Sequence, residues 1–317
     1  MTASRRVAMA AFTALGLVWG VNFVFMHLAA PFISPAQTTL LRVAFGVVPI
    51  LVFALVTRSL AWRHLRHVPH FAVQAVLATG FYYYAYAAGT YRLDSGIAGA
   101  LSGSIPLFAS VAAVLVFRTE PFTARKAIGV AAGAVGVVTL ARPWAADEID
   151  TAGLAWMLLG SAGLGASFGY TRRFISPLGI PAAASATYQM LLATLGLALV
   201  TDLHGITAIA RDPAALTGVA LGLGVIGTGF AFVCYYVAVA GLGALTASTA
   251  TYIPPVVALA IGVGLLGEPL HATTVVAIAL ILCAAVLTQA VCGGRPSAGP
   301  HPRDPCRPPR LPPAREP

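Results

Sequence analysis

Arg42 is the only formal charge that falls well inside a long apolar run of this chain, and its chemistry needs an account first. A guanidinium at that depth costs at least about 2.5–3.5 kcal/mol on insertion scales, so it needs a partner or an aqueous route. Either it snorkels or caps a neighbouring helix end, or it binds the carboxylate of a solute. Trp19 and Asn22 stand three residues apart, on one face of a helix. Asn22 offers a donor and an acceptor, to a cavity or to a neighbouring helix. The run Phe81-Tyr82-Tyr83-Tyr84-Ala85-Tyr86 points its side chains in different directions, so at most two of the tyrosines face one cavity. Tyr82 and Tyr86, four apart, make the better pair. Tyr235, Tyr252 and Ser104 complete the substrate-binding candidates. Core packing and interface belts are the other use of these rings. Gln74, Ser102, Ser167, Gln189, Thr228 and Thr249 are weaker candidates.

Catalytic and metal chemistry find less support. Gly165-Ala166-Ser167-Phe168-Gly169 fits GxSxG, but a nucleophile elbow needs a strand–turn–helix context. This stretch reads as helix, and no histidine lies at span depth to act as base. His64, His67 and His70 recur every three residues, yet Pro69 breaks any shared helix face, so they read as solvated residues of a basic loop. The four cysteines form no CxxC or zinc spacing. No catalytic residue, metal or cofactor is expected.

The elements that must hold these side chains are apolar helices. Of 317 residues, 58% are hydrophobic and 9% charged, which excludes an ordinary soluble enzyme. Runs of spanning length cover Val7–Leu28, Ala36–Val56, Phe71–Thr90, Gly96–Phe117, Arg125–Ala141, Thr151–Tyr170, Ile180–Val200, Ala214–Val237, Leu245–Leu266 and Ala272–Val291. With the N-terminus inside, the inner loops and tail take fifteen Lys and Arg, and the outer loops only Arg92, Arg142 and Arg211. This positive-inside bias predicts a multi-pass protein of the cell membrane with both termini cytoplasmic. The Pro- and Arg-rich tail, 292–317, reads as disordered.

Residues 105–121 and 253–269 align without gaps: Ile105-Pro106 matches Ile253-Pro254, and Glu120-Pro121 matches Glu268-Pro269. The copies lie five spans apart. Five is odd, so they cross the membrane in opposite directions, as in the inverted repeats of secondary transporters. Pro106 and Pro254 are the expected helix breaks, tolerated where protein or a watery cavity covers them. The two glutamates sit beside prolines at helix ends. They are expected to tie each loop to the backbone N–H groups that start the following helix, with any proton coupling weak.

The run Leu17-Val18-Trp19-Gly20-Val21-Asn22-Phe23, the Leu41-Arg42 step and the twofold Ile-Pro…Glu-Pro pattern resemble EamA-type members of the drug/metabolite transporter superfamily. The resemblance covers roughly residues 8–291. It implies a central cavity lined by helices 1, 3, 4, 6, 8 and 9, and export of small metabolites, often amino acids, or drugs. The Arg42 position has no basic counterpart near Tyr188-Gln189. The expected fold is all-α and integral to the membrane: ten transmembrane helices as two inverted five-helix repeats, 1–141 and 151–291. The expected function is export of a small neutral or zwitterionic, amino-acid-like metabolite by alternating access. A lipid or isoprenoid-linked carrier or a drug exporter is the alternative, with a channel or an intramembrane hydrolase behind it. A small-molecule substrate and the lipid bilayer are the expected partners, without nucleic acid; a homodimer stays open.

Overall fold

The computed structural model describes residues 3–141 and 150–289. Arg142, Asp147, Glu148 and the Pro/Arg-rich tail lie outside the described residues. Ten long helical stretches follow one another: α1 (Ala3–Ala29), α2 (Pro35–Val56), α3 (68–90), α4 (Ser95–Val116), α5 (Ala124–Ala141), α6 (Thr151–Leu178), α7 (Ala182–Val200), α8 (Pro213–Leu242), α9 (244–265) and α10 (Ala272–Gln289). Among the described residues every element is helical. Eight of the ten, α1, α2 and α4 to α9, are long and apolar enough to cross a membrane. α3 carries Pro69, His70, Gln74 and four tyrosines, which lower its hydropathy, and the apolar part of α10, Ala272–Thr288, is slightly short. Leu199, Val200, Leu265 and Val56 are more than three-quarters exposed. An outside this greasy suits hydrocarbon rather than water.

Local chemistry sets several starts. Ser34 and Gln37 form a capping box ahead of α2, with Pro35 in its first turn. Asp150 accepts from the Gly153 N–H at 2.8 Å, and Asp212 from the Ala214 N–H at 2.7 Å, where carboxylates suit a helix N-terminus. α4 and α9 are each interrupted. Ser95–Ser102 stops at Gly103-Ser104 and resumes at Ile105; Ala244–Ser248 tightens through Thr249–Tyr252 and resumes at Ile253. Pro106 and Pro254 thus open a new helical segment, where a missing N–H breaks no helical bond.

Packing repeats between the halves. α1 lies against α8 and α9, just as α6 lies against α3 and α4. α2 packs on α8 as α7 packs on α3, while α2–α7, α4–α9 and α5–α10 pair across the halves. Loops gather at two ends. At one, Gln37 Nε2 donates to the Asp202 carbonyl at 2.8 Å, and Glu268 reaches the start of α4. At the other, Tyr188 Oη donates to the Ala61 carbonyl at 3.1 Å and Glu120 meets Arg172.

Candidate functional site

Arg42 projects from α2 into the bundle and is 5% exposed, so it neither snorkels nor caps a helix end. Its Nε donates to Thr228 Oγ1 of α8 at 2.9 Å. Its guanidinium carbon lies 3.8 Å from the centroid of the Tyr83 ring of α3, a cation–π contact. Met26 Sδ of α1 stands 4.0 Å from Nη1. Among the described residues no carboxylate forms a salt bridge with it. Thr228 sits in a π-helical stretch of α8, Gly218–Phe230, and its hydroxyl donates to the Leu223 carbonyl at 2.8 Å. Its oxygen is therefore turned to accept from Arg42.

Asn22, 4% exposed, donates from Nδ2 to the carbonyl of Gly227, the residue before Thr228, at 3.2 Å. Its Oδ1 is buried without a partner. Only glycine fits at 227, since a Cβ there would lie 2.1 Å from that Oδ1. Tyr86 bonds Ser161 Oγ of α6 at 2.8 Å, and its ring stands 4.4 Å from that of Tyr82. The structure thus brings Asn22, Arg42, Tyr82 and Tyr86 together with Tyr83, Thr228 and Met26.

Other expected residues lie elsewhere. Trp19 and Tyr235 pack together around Leu15, Ala231, Cys234 and Ala250. Ser104 is 1% exposed and donates to the Leu101 carbonyl at 2.7 Å, within its own turn. Tyr252 donates to the Ala285 carbonyl at 2.9 Å, tying α9 to α10. His64 is buried rather than solvated, edge-on to Tyr188. Sequence reasoning passed over Tyr83. In a helix Tyr82, Tyr83 and Tyr86 fall within about 100° of arc, the width of one buried stripe, so three tyrosines can share an interior and only Tyr84 turns away. Tyr84 meets Trp156 edge-on at 5.4 Å.

The paired glutamates occupy unlike settings. Glu268 Oε1 accepts from the Ser95 N–H at 2.8 Å and from Ser95 Oγ at 2.5 Å, and Oε2 accepts from the Gly96 N–H at 2.9 Å. It closes its end of the bundle by capping α4, in the other half. Glu120 instead accepts from Lys126 Nζ at 2.8 Å and pairs with Arg172. It borders a cleft of about 190 Å³ that Pro106, Ser110, Phe168, Ser248 and Thr288 also line. Burial pushes the Glu120 carboxyl up, but Lys126 and Arg172 outweigh it and hold it below the usual carboxylate value. The expected bond to the following helix therefore fails at Glu268, which reaches α4, and at Glu120 involves a side chain, Lys126.

The model of the EamA-like transporter family matches residues 6–142 and again 151–289. The chain belongs to the EamA-like transporter family. An uncharacterized transporter of Archaeoglobus fulgidus is 25% identical over 264 residues, covering 83% of this chain and 92% of its own. A protein of known crystal structure, 18% identical, superposes with a TM-score of 0.57 over 90% of this chain and 97% of that one, which is a likeness of fold. In this EamA-like protein the two family copies share a polar device. Arg42 of α2 meets Thr228 of α8 in the π-helical Gly218–Phe230; Gln189 of α7 donates to Thr79 of α3 at 2.7 Å in the π-helical Ala75–Gly80. Ser167 of the GxSxG stretch lies within the helix Thr151–Tyr170 and donates to the Leu164 carbonyl at 2.7 Å. Membership in a transporter family points away from an enzyme.

Proposed function

We propose that this EamA-like transporter exports a small neutral or zwitterionic, amino-acid-like metabolite by alternating access. In this reading ten transmembrane helices form two inverted repeats around a midplane site, with both termini in the cytoplasm. The observation that carries it is the inequality of Glu120 and Glu268. The two are equivalent in sequence, yet one is clasped to a helix start in the opposite half, and the other is held only by side chains, Lys126 and Arg172, beside an open cleft. A carrier with matched halves alternates by breaking the clasp at one end and making its counterpart at the other. Hydrogen bonds to a charged group are worth about 1.5–3 kcal/mol each. Exchanging similar sets keeps the two states close in energy, which population shift by a solute requires.

Arg42 supports the substrate class. A buried cation without an acidic partner is best balanced by a carboxylate that arrives with the solute. The tyrosines beside it and the free acceptor of Asn22 suit an ammonium group. The test is counterflow in proteoliposomes with a panel of amino acids, short carboxylates and cations. Zwitterions should exchange and cations should not; exchange of cations or of simple carboxylate anions alone would overturn the substrate class.

A further inference from the structure

Between α2 and α3 the chain forms a short 3-10 helix, Trp62–His67. Three residues per turn place positions i and i+3 on the same face. The sequence Trp-Arg-His-Leu-Arg-His therefore sorts into three stripes: Trp62 with Leu65, Arg63 with Arg66, and His64 with His67. Burial follows that sorting. Trp62 is 89% exposed and Leu65 40%, Arg63 and Arg66 are exposed, and His64 is 5% exposed. Tyr188 fixes the helix in place. Its hydroxyl accepts from the Ala61 N–H at 3.3 Å, its ring stacks on Phe71 at 5.1 Å, and His64 meets it edge-on at 6.0 Å.

The helix and the turn at 178–180 enclose a basin of about 290 Å³, lined by Arg63, His64, Arg66 and His67 from one side. Among the described residues no carboxylate lines it. His64 backs the basin with its Nδ1 buried and without a partner. Arg66 donates from Nε to His67 Nε2 at 2.8 Å, which holds the fork of Arg66 in position and leaves its outer nitrogens available.

We propose that this basin binds the phosphate of an anionic phospholipid in the adjoining leaflet. Arg63 and Arg66 donate to the phosphate oxygens, as guanidinium forks suit. The acyl chains run over Trp62 and Leu65, an exposed apolar stripe beside the basic one. That adjacency selects a lipid over free phosphate, because free phosphate leaves the apolar stripe uncovered. Juxtamembrane arginines draw such lipids by charge as well.

The test is thermal unfolding of the purified full chain in a neutral detergent, with short-chain phosphatidylglycerol, phosphatidylcholine or inorganic phosphate. Phosphatidylglycerol should raise the melting temperature, and the other two should not. Arg63→Gln/Arg66→Gln should remove the shift without changing the unliganded melting temperature. An equal shift with phosphatidylcholine or inorganic phosphate, or a shift that survives in the double variant, overturns the proposal. Should the double variant unfold, brominated lipids in nanodiscs decide it. The quenching lost on Trp62→Phe should be larger with brominated phosphatidylglycerol than with brominated phosphatidylcholine, and equal losses refute the site.

Discussion

Arg42 gains its place from three neighbours: a hydroxyl, an aromatic face and a thioether, on α8, α3 and α1. Arg42→Lys keeps the charge but loses the planar stack on Tyr83 and the fixed Nε donor. Counterflow of a zwitterion should fall by about tenfold or more, the cost of one hydrogen bond to a charged group, while Tyr83→Phe, which keeps the ring, should stay near wild type. Asn22→Ala and Tyr86→Ala should cut transport at near-normal membrane expression; wild-type rates in both would move the site elsewhere. Tyr86→Phe removes only the bond to Ser161 and should cost about 0.6–2 kcal/mol of stability, read as a lowered unfolding midpoint. Lipophilic dications such as methyl viologen should be poor substrates, because α1 offers no carboxylate and Arg42 repels them. Robust export of one in a vesicle assay would contradict this.

At the scale of elements, the clasp of Glu268 depends on glycine. A Cβ at Gly262 would stand 2.1 Å from Glu268 Oε2, so Gly262→Ala should dislodge the carboxylate and mimic Glu268→Gln in transport. Glu120 carries a pH argument. Its carboxyl is held below the ordinary value, so its contribution to stability is present above about pH 4.5 and is lost as pH falls through the lowered value. Between pH 6 and 8 Glu120 stays ionised. Proteoliposome flux should then be nearly flat across that range, and a flux that collapses with the pH gradient and is freed of it by Glu120→Gln would make these glutamates the coupling site. Much of this was legible beforehand. The apolar runs located most helix ends to within a few residues, although α6 runs on to Leu178, past the expected Tyr170, and α8 to Leu242, past Val237; Glu-Pro spacing revealed the repeat. Partners across halves were not legible, since nothing local in Glu268-Pro269 points to Ser95. The π-helical stretches are equally silent: Gly218–Phe230 alters the facing of Thr228 with no sequence mark beyond its glycines.

The whole molecule has two ends with different charge. Arg58, Arg63, Arg66, Arg118, Arg172 and Arg173 belong to loops and helix ends on the Glu120 side, against Arg92 and Arg211 on the Glu268 side. Reporter fusions at Arg66 and Asp202 should therefore give opposite signals, with Arg66 cytoplasmic. Alternating access makes a stricter demand, because each end must open in every cycle. Replace Cys234, Cys283, Cys292 and Cys306 by serine, introduce Gln37→Cys and His204→Cys, which face each other across the halves at the Glu268 end, and join the pair with a short reducible bis-thiol linker in proteoliposomes. Transport should stop when the link forms and return on reduction, while each single-cysteine variant given the same reagent should keep its untreated rate. Transport at an undiminished rate through the linked protein would contradict alternating access.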